Sequence, residues 1–215
     1  MPEKATASKL QAQPDSHDLA AAETAEANAA ADCSLQGPNN DPPEKTPYLY
    51  HLASTTKQHY DGGYLQGATE DTFPALERQR GSVYFVQLEP GGIREPHWHP
   101  SAWELSYVMS GSAKWVVLGP HPDGVYIRSE FQAGPGDLIF APQGHFHYFE
   151  NTSSENTLDV LIVFNTSTKE PNDDLGIVAA FNAIPRDVLA ATFKTPPTAF
   201  DHMPPTMEPV VIAKR

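Results

Sequence analysis

The chain has 215 residues, enough for one sizeable core with tails and too few for two large domains. Its 14 basic and 27 acidic residues leave a formal charge of −13, which argues against a nucleic-acid groove or an anionic membrane surface as the main partner. No apolar run reaches the roughly 18 to 20 residues that span a bilayer, and the N-terminus lacks a hydrophobic signal-peptide core, so a cytoplasmic protein is expected.

Residues 1–46 contain no aromatic side chain and are rich in Ala, Glu, Asp, Gln and Pro, a composition that offsets little of the entropy of ordering; a disordered tail is expected there. Cys33 is the only cysteine and lies in that tail, which excludes a disulfide framework and a thiolate metal site. Order is expected to begin near Tyr48. From there short runs rich in Val, Ile, Tyr, Phe and Trp follow one another: SVYFVQL, WELSYVM, SAKWVVL, VYIRSEF, DLIFAP, HFHYF and TLDVLIVF. Gly, Pro, Asp, Asn and Ser turns separate them, the pattern of an all-β sandwich or barrel over residues 47–168. A polar, turn-rich stretch and a short helix begun by Pro185 occupy residues 169–195, and the proline pairs beyond predict an extended C-terminal arm over 196–215, of the kind that packs on a neighbouring subunit.

Within the strand region, alternation sends His97 and His99 to one face, and His145 and His147 likewise share a face. With Glu104, three imidazoles and a carboxylate could hold Mn, Fe, Ni or Zn, and a hard oxygen ligand with room for more favours Mn or Fe over a closed zinc site. Alternation in WELSYVM gives a competing picture. It puts Trp103, Leu105, Tyr107 and Met109 on one face and Glu104 and Ser106 on the other, as a solvated face would show.

The spacing discriminates. Gly91, His97, His99, Glu104 and Gly111 have the form of the first cupin motif, and Gly136, Pro142, Gly144, His147 and Asn151 have the form of the second, both without a gap. The chain therefore resembles the cupin superfamily, whose fold is a β-barrel of jelly-roll type. By that resemblance His97, His99, Glu104 and His147 are metal ligands, Mn(II) or alternatively Fe(II), and His145 is a rim residue or supports a ligand from behind. GGIREPHWHP is further similar to oxalate decarboxylases, as are HYDGGYLQGATEDTFPAL and IPRDVLAATF; the likeness runs over residues 48–193.

That family places a substrate-binding arginine just before the first histidine, which implies this role for Arg94. A guanidinium fork suits a small carboxylate. Strict alternation from His97 turns Arg94 to the opposite face, so the role requires a bulge, which Gly91, Gly92 and Pro96 permit. The family's lid glutamate, which supplies the proton of the formate C–H bond, has its counterpart in KEPNDD, with Glu170 nearest in position and Asp173 and Asp174 as other acids. The implied activity is a manganese-dependent cleavage of oxalate to formate and CO2, with dioxygen as catalyst or co-substrate. Alternatives are oxalate oxidation, an oxygenase or isomerase tailoring a small metabolite, and a germin- or spherulin-like storage or stress protein. The family's decarboxylases are mostly two cupin domains in one chain; this chain shows one, so a homo-oligomer is expected.

Overall fold

Seven runs of alternating or continuous apolar residues form strands because β-branched and aromatic side chains pack well on a pleated surface and the intervening Gly, Pro and Asp residues stop them. The computed structural model describes residues 46–167, 169, 172–205 and 210–215. Apart from Thr46, the expected N-terminal tail lies outside them. In chain order the strands are β1 (Gln58–Tyr60), β2 (Gly63–Ala68), β3 (Ser82–Leu88), β4 (Gly92–Trp98), β5 (Glu104–Ser110) and β6 (Ala113–Pro120). There follow β7 (Tyr126–Ala133), β8 (Leu138–Ala141), β9 (Phe146–Asn151), β10 (Leu158–Phe164), β11 (Leu175–Gly176) and β12 (Ile212–Lys214). Two helices, α1 (Ile177–Asn182) and α2 (Arg186–Phe193), lie between β11 and β12.

The strands form two antiparallel sheets. One runs β1-β2-β3-β10-β5-β8; the other runs β11-β4-β9-β6-β7, with β12 also paired to β4. Their inner faces meet in a single apolar core that includes Leu65, Val86, Leu88, Val108, Trp115, Phe149, Leu158, Val160, Ile162 and Ile212. Trp115 and Phe149 stack at its centre, ring centroids 4.3 Å apart, and both are fully buried. Gly111 makes the tight β5-β6 turn at φ +85°, where a Cβ would also lie 2.5 Å from the Thr157 carbonyl oxygen.

Three features depart from the sequence reading. Residues 58–68 form a β1-β2 hairpin around Asp61-Gly62, a turn signal that passed unread. Helix α2 starts at Pro185 as expected, but α1 precedes it; six residues are too few for periodicity to announce a helix. The C-terminal arm also does not stay extended throughout: residues 197–200 make a 3-10 turn, and β12 pairs with β4 of its own chain, Ile212 opposite Arg94. Gly62 permits that closure, since a Cβ there would sit 2.0 Å from the Ala213 carbonyl oxygen.

Replacing Trp115 with Ala removes the largest fully buried side chain of the core. Unfolding in urea is expected to shift to lower midpoint with an unchanged slope, a loss of about 3–5 kcal/mol.

Candidate metal centre

The register of β4 against β9 decides where the polar residues point. Ile93 and Arg94 face Glu150 and Phe149, and His97 faces His147, so three steps on β4 match two on β9. The extra residue is a bulge at the Glu95-Pro96 step. It turns both Arg94 and His97 inward, and Arg94, Glu95 and His97 are all buried. Proline suits this position because the bulge asks for no ladder donor.

His99 follows the end of β4, held there by its own carbonyl, which accepts from Gly144 N at 2.9 Å. Glu104 opens β5 on the opposite sheet, registered against Phe164 and Ala141. The cluster therefore bridges the two sheets. On β5 the inward face is Glu104, Ser106 and Val108, while Leu105 and Met109 are half-buried and Tyr107 is exposed. The polar face of WELSYVM is thus the buried one, the reverse of a solvated face.

One ligand-capable atom from each of His97, His99, Glu104 and His147 lies within 4.8 Å of the others. The four residues are 1–3% exposed. Each imidazole is oriented by a hydrogen bond from Nδ1 to a main-chain carbonyl: His97 to Glu95 (2.7 Å), His99 to Asp173 (2.8 Å) and His147 to His145 (2.9 Å). A neutral ring that donates from Nδ1 carries a lone pair on Nε2. The three Nε2 atoms converge on Glu104 Oε2 at 3.9, 3.3 and 3.1 Å. Lone pairs facing a carboxylate in a buried site suit a metal cation between them; without one, an Nε2 proton bridges to Glu104 from His99 or His147.

Burial and charge set the protonation states of His97 and Glu104. Burial pushes the His97 imidazole well below its ordinary range, helped by the positive charge of Arg94 and by the other two imidazoles and opposed by Glu104. Burial pushes the Glu104 carboxyl upward, but when His147 and His99 carry an Nε2 proton their charge and hydrogen bonds outweigh it and hold Glu104 well below the usual carboxylate range, an effect a metal cation in the same place would reproduce. A neutral imidazole and an ionised carboxylate are the forms that ligate. His97 Nε2 is buried and has no hydrogen-bond partner, which fits a coordinate bond there. The donor set suits a divalent metal ion such as Mn or Fe.

His145 stands outside the cluster. Its carbonyl accepts from His147 Nδ1, and its ring lies against Gly119, where a Cβ would meet it at 1.9 Å. Glu170 lies outside the described residues. Asp173 turns its carboxylate to Ser101, accepting from the backbone N at 3.0 Å and from Oγ at 2.7 Å. Asp174 is buried and pairs with Arg94 Nη2. The sequence reading missed Ser106, whose Oγ donates to Glu104 Oε1 at 2.7 Å and fixes that carboxylate. Its place two residues after Glu104 on the same strand face was the available signal.

The fold and this cluster define a metal-capable cupin. Residues 51–199 match the cupin family model, and the chain belongs to that family. A probable oxalate decarboxylase of Arthroderma benhamiae is 28% identical over 76% of this chain and 39% of its own length. Germin-like protein subfamily T member 3 of Arabidopsis thaliana is 32% identical over 57% of this chain and 52% of its own. A solved structure of oxalate decarboxylase from Bacillus subtilis, described for its Mn(II) centres, superposes with a TM-score of 0.64 at 24% identity, over 76% of this chain and 41% of that one. The chain thus spans between about two fifths and half the length of these proteins. No helix among the described residues is long and apolar enough to cross a membrane.

Protein produced with manganese is expected to lose more than about tenfold of its bound metal on His97→Ala or Glu104→Ala, by elemental analysis. Ser106→Ala, which leaves every ligand in place, is expected to weaken metal affinity about tenfold or more by competition with a chelator.

Proposed function

We propose that this cupin is a metal-dependent enzyme acting on a small carboxylate, with oxalate decarboxylation to formate and CO2 as the reaction. His97, His99, Glu104 and His147 hold Mn(II), or Fe(II) in its place. The observation that carries the reading is the inward turn of Arg94 at the β4 bulge, which buries a guanidinium beside the four-residue cluster. A low-dielectric interior with one fixed cation next to a metal-capable centre suits a small anion that binds both.

A bound manganese or iron ion would supply Lewis-acid polarisation of the carboxylate and one-electron exchange with dioxygen. The protein's part is orientation and proton control. Arg94 fixes one carboxylate of the substrate by its planar fork, and the buried surroundings keep water from the reacting carbon. Glu170 delivers the proton to the carbon that loses CO2, so that one hydrogen oxalate anion yields one CO2 and one formate. Without that proton, oxalic acid and dioxygen go instead to two CO2 and hydrogen peroxide. Asp174, paired with Arg94, is an acceptor and not a donor in this arrangement. A homo-oligomer is part of the reading, since Tyr126, Leu138 and Phe140 leave large apolar surface exposed.

Manganese-loaded protein assayed with oxalate under air is expected to form formate with little peroxide. Glu170→Gln is expected to abolish formate and raise peroxide, whereas undiminished formate in that variant would remove Glu170 from the reaction. Arg94→Lys keeps the charge but loses the fork, and its KM for oxalate is expected to rise about tenfold or more, the equivalent of a charge-assisted hydrogen bond of about 1.5–3 kcal/mol. Fully metallated protein that leaves oxalate untouched would rule out the substrate while keeping the site.

A further inference from the structure

A cavity apart from the metal centre lies where the end of β2 meets the segments 50–56 and 69–72. Its volume of about 460 Å³ falls within the roughly 300–1,000 Å³ of pockets that hold small ligands. None of the four cluster residues lines it. Phe164 packs edge-on against both Tyr84 of the cavity wall (5.8 Å) and His99 (4.7 Å), and so separates the two sites.

The walls are fixed before any ligand arrives. Gln66 is 1% exposed, and its side-chain amide donates to the carbonyls of Leu52 at 3.2 Å and Thr55 at 2.7 Å, which holds residues 52–55 against β2. Phe73 stacks on Tyr50, ring centroids 5.1 Å apart, and keeps that ring at the wall. Gly67 leaves space for a second ring, since a Cβ there would meet Tyr84 at 2.4 Å. A pocket built this way loses little ordering entropy when it is filled.

Hydroxyl groups dominate the lining, from buried Thr69 and Tyr84 to exposed Ser54, Thr56 and Thr72. Thr69 is 4% exposed, yet its hydroxyl has no hydrogen-bond partner among the described residues; only its main chain is engaged. A buried hydroxyl calls for a partner, and the cavity is where one can sit. Because a hydroxyl both donates and accepts, a wall of them matches a ligand whose own groups do the same. Asp71 and Lys169, the charged lining residues among those described, carry one charge of each sign, so the space favours neither an anion nor a cation. Tyr50 and Tyr84 add aromatic surface whose electron-rich faces suit the C–H groups of a sugar ring. We propose that this cavity binds a neutral polyhydroxylated molecule, a small sugar or polyol, with Thr69 and Asp71 as its polar anchors. The Asp71 carboxylate accepts from neighbouring ligand hydroxyls, and the Thr69 hydroxyl gains the partner that the protein does not give it. Each such bond replaces one to water, so the affinity is modest, on the order of 1 mM. The inference is independent of Arg94 and of oxalate chemistry.

The test titrates the full-length, manganese-loaded protein by calorimetry with D-glucose, D-galactose, maltose and sorbitol as probes. At least one is expected to saturate with a dissociation constant of about 1 mM or tighter. Thr69→Val keeps the shape of the side chain and removes a hydroxyl that bonds nothing among the described residues, and Asp71→Asn removes the charge of an exposed carboxylate. Each variant is expected to weaken that probe about tenfold or more. Folded His97→Ala, altered at the metal centre, is expected to bind it unchanged. No saturation by any probe up to about 50 mM overturns the proposal, as does undiminished binding in either folded cavity variant. Loss of binding in His97→Ala assigns the probe to the metal centre and overturns it as well.

Discussion

Everything at the centre of this molecule follows from three imidazole nitrogens being made to face one carboxylate in the absence of water. Main-chain carbonyls take the Nδ1 protons of His97, His99 and His147, which leaves the Nε2 lone pairs aimed at Glu104. In solvent such an arrangement would relax by rotation or hydration. Here the rings are fixed from behind and Glu104 is fixed by Ser106, so the convergence persists and offers a cation a ready place between them. The two sheets are the scaffold for this convergence: β4 and β9 bring the histidines from one side and β5 brings the glutamate from the other. A site built across two sheets is only as well placed as the core between them, which is why the stacked Trp115 and Phe149 matter to chemistry they do not touch.

The bulge in β4 is the second constraint. Without the extra residue, Arg94 would stand on the outer face, three positions and opposite in parity from His97. With it, Arg94, Glu95 and His97 are all buried on one strand, and their charges act on one another: Arg94 is among the causes that keep His97 neutral. The same strand carries β12 along one stretch of its edge and β11 along the next, so both late segments of the chain report on its position.

The four-residue cluster could be anticipated from the chain because the spacing of its two motifs matches the family pattern, and the structure brings those four residues together. Alternation on a strand and two closely spaced motifs are local facts, and the fold brings the motifs together through pairing of neighbouring segments, as His97 opposite His147 shows. The need for a bulge at Arg94 was likewise legible, since alternation and role disagreed and Pro96 lay between. What stayed hidden depends on contacts between distant segments. Nothing near Asp174 announces an arginine 80 positions earlier, and no pattern in residues 210–215 announces a return to β4. Glu104 and Ser106 misled in the opposite direction: polarity on one face of a strand ordinarily means solvent, and only the enclosed cluster makes that face the interior.

Burial of charge explains why residues 172–176 lie against the cluster. A guanidinium and several carboxylates are enclosed together, and such groups persist in a protein interior only when each is compensated. Compensation by Asp174 comes from a short segment that is also tied to a ligand, since Asp173 accepts the proton of His99 Nδ1. Residues 172–176 therefore act on two groups at once: Asp174 faces Arg94, and the Asp173 carbonyl orients His99, whereas His97 and His147 are oriented by carbonyls two residues before them. One late segment of the chain thus compensates the buried guanidinium and orients one of the three clustered imidazoles, which ties the charge balance of the site to its geometry.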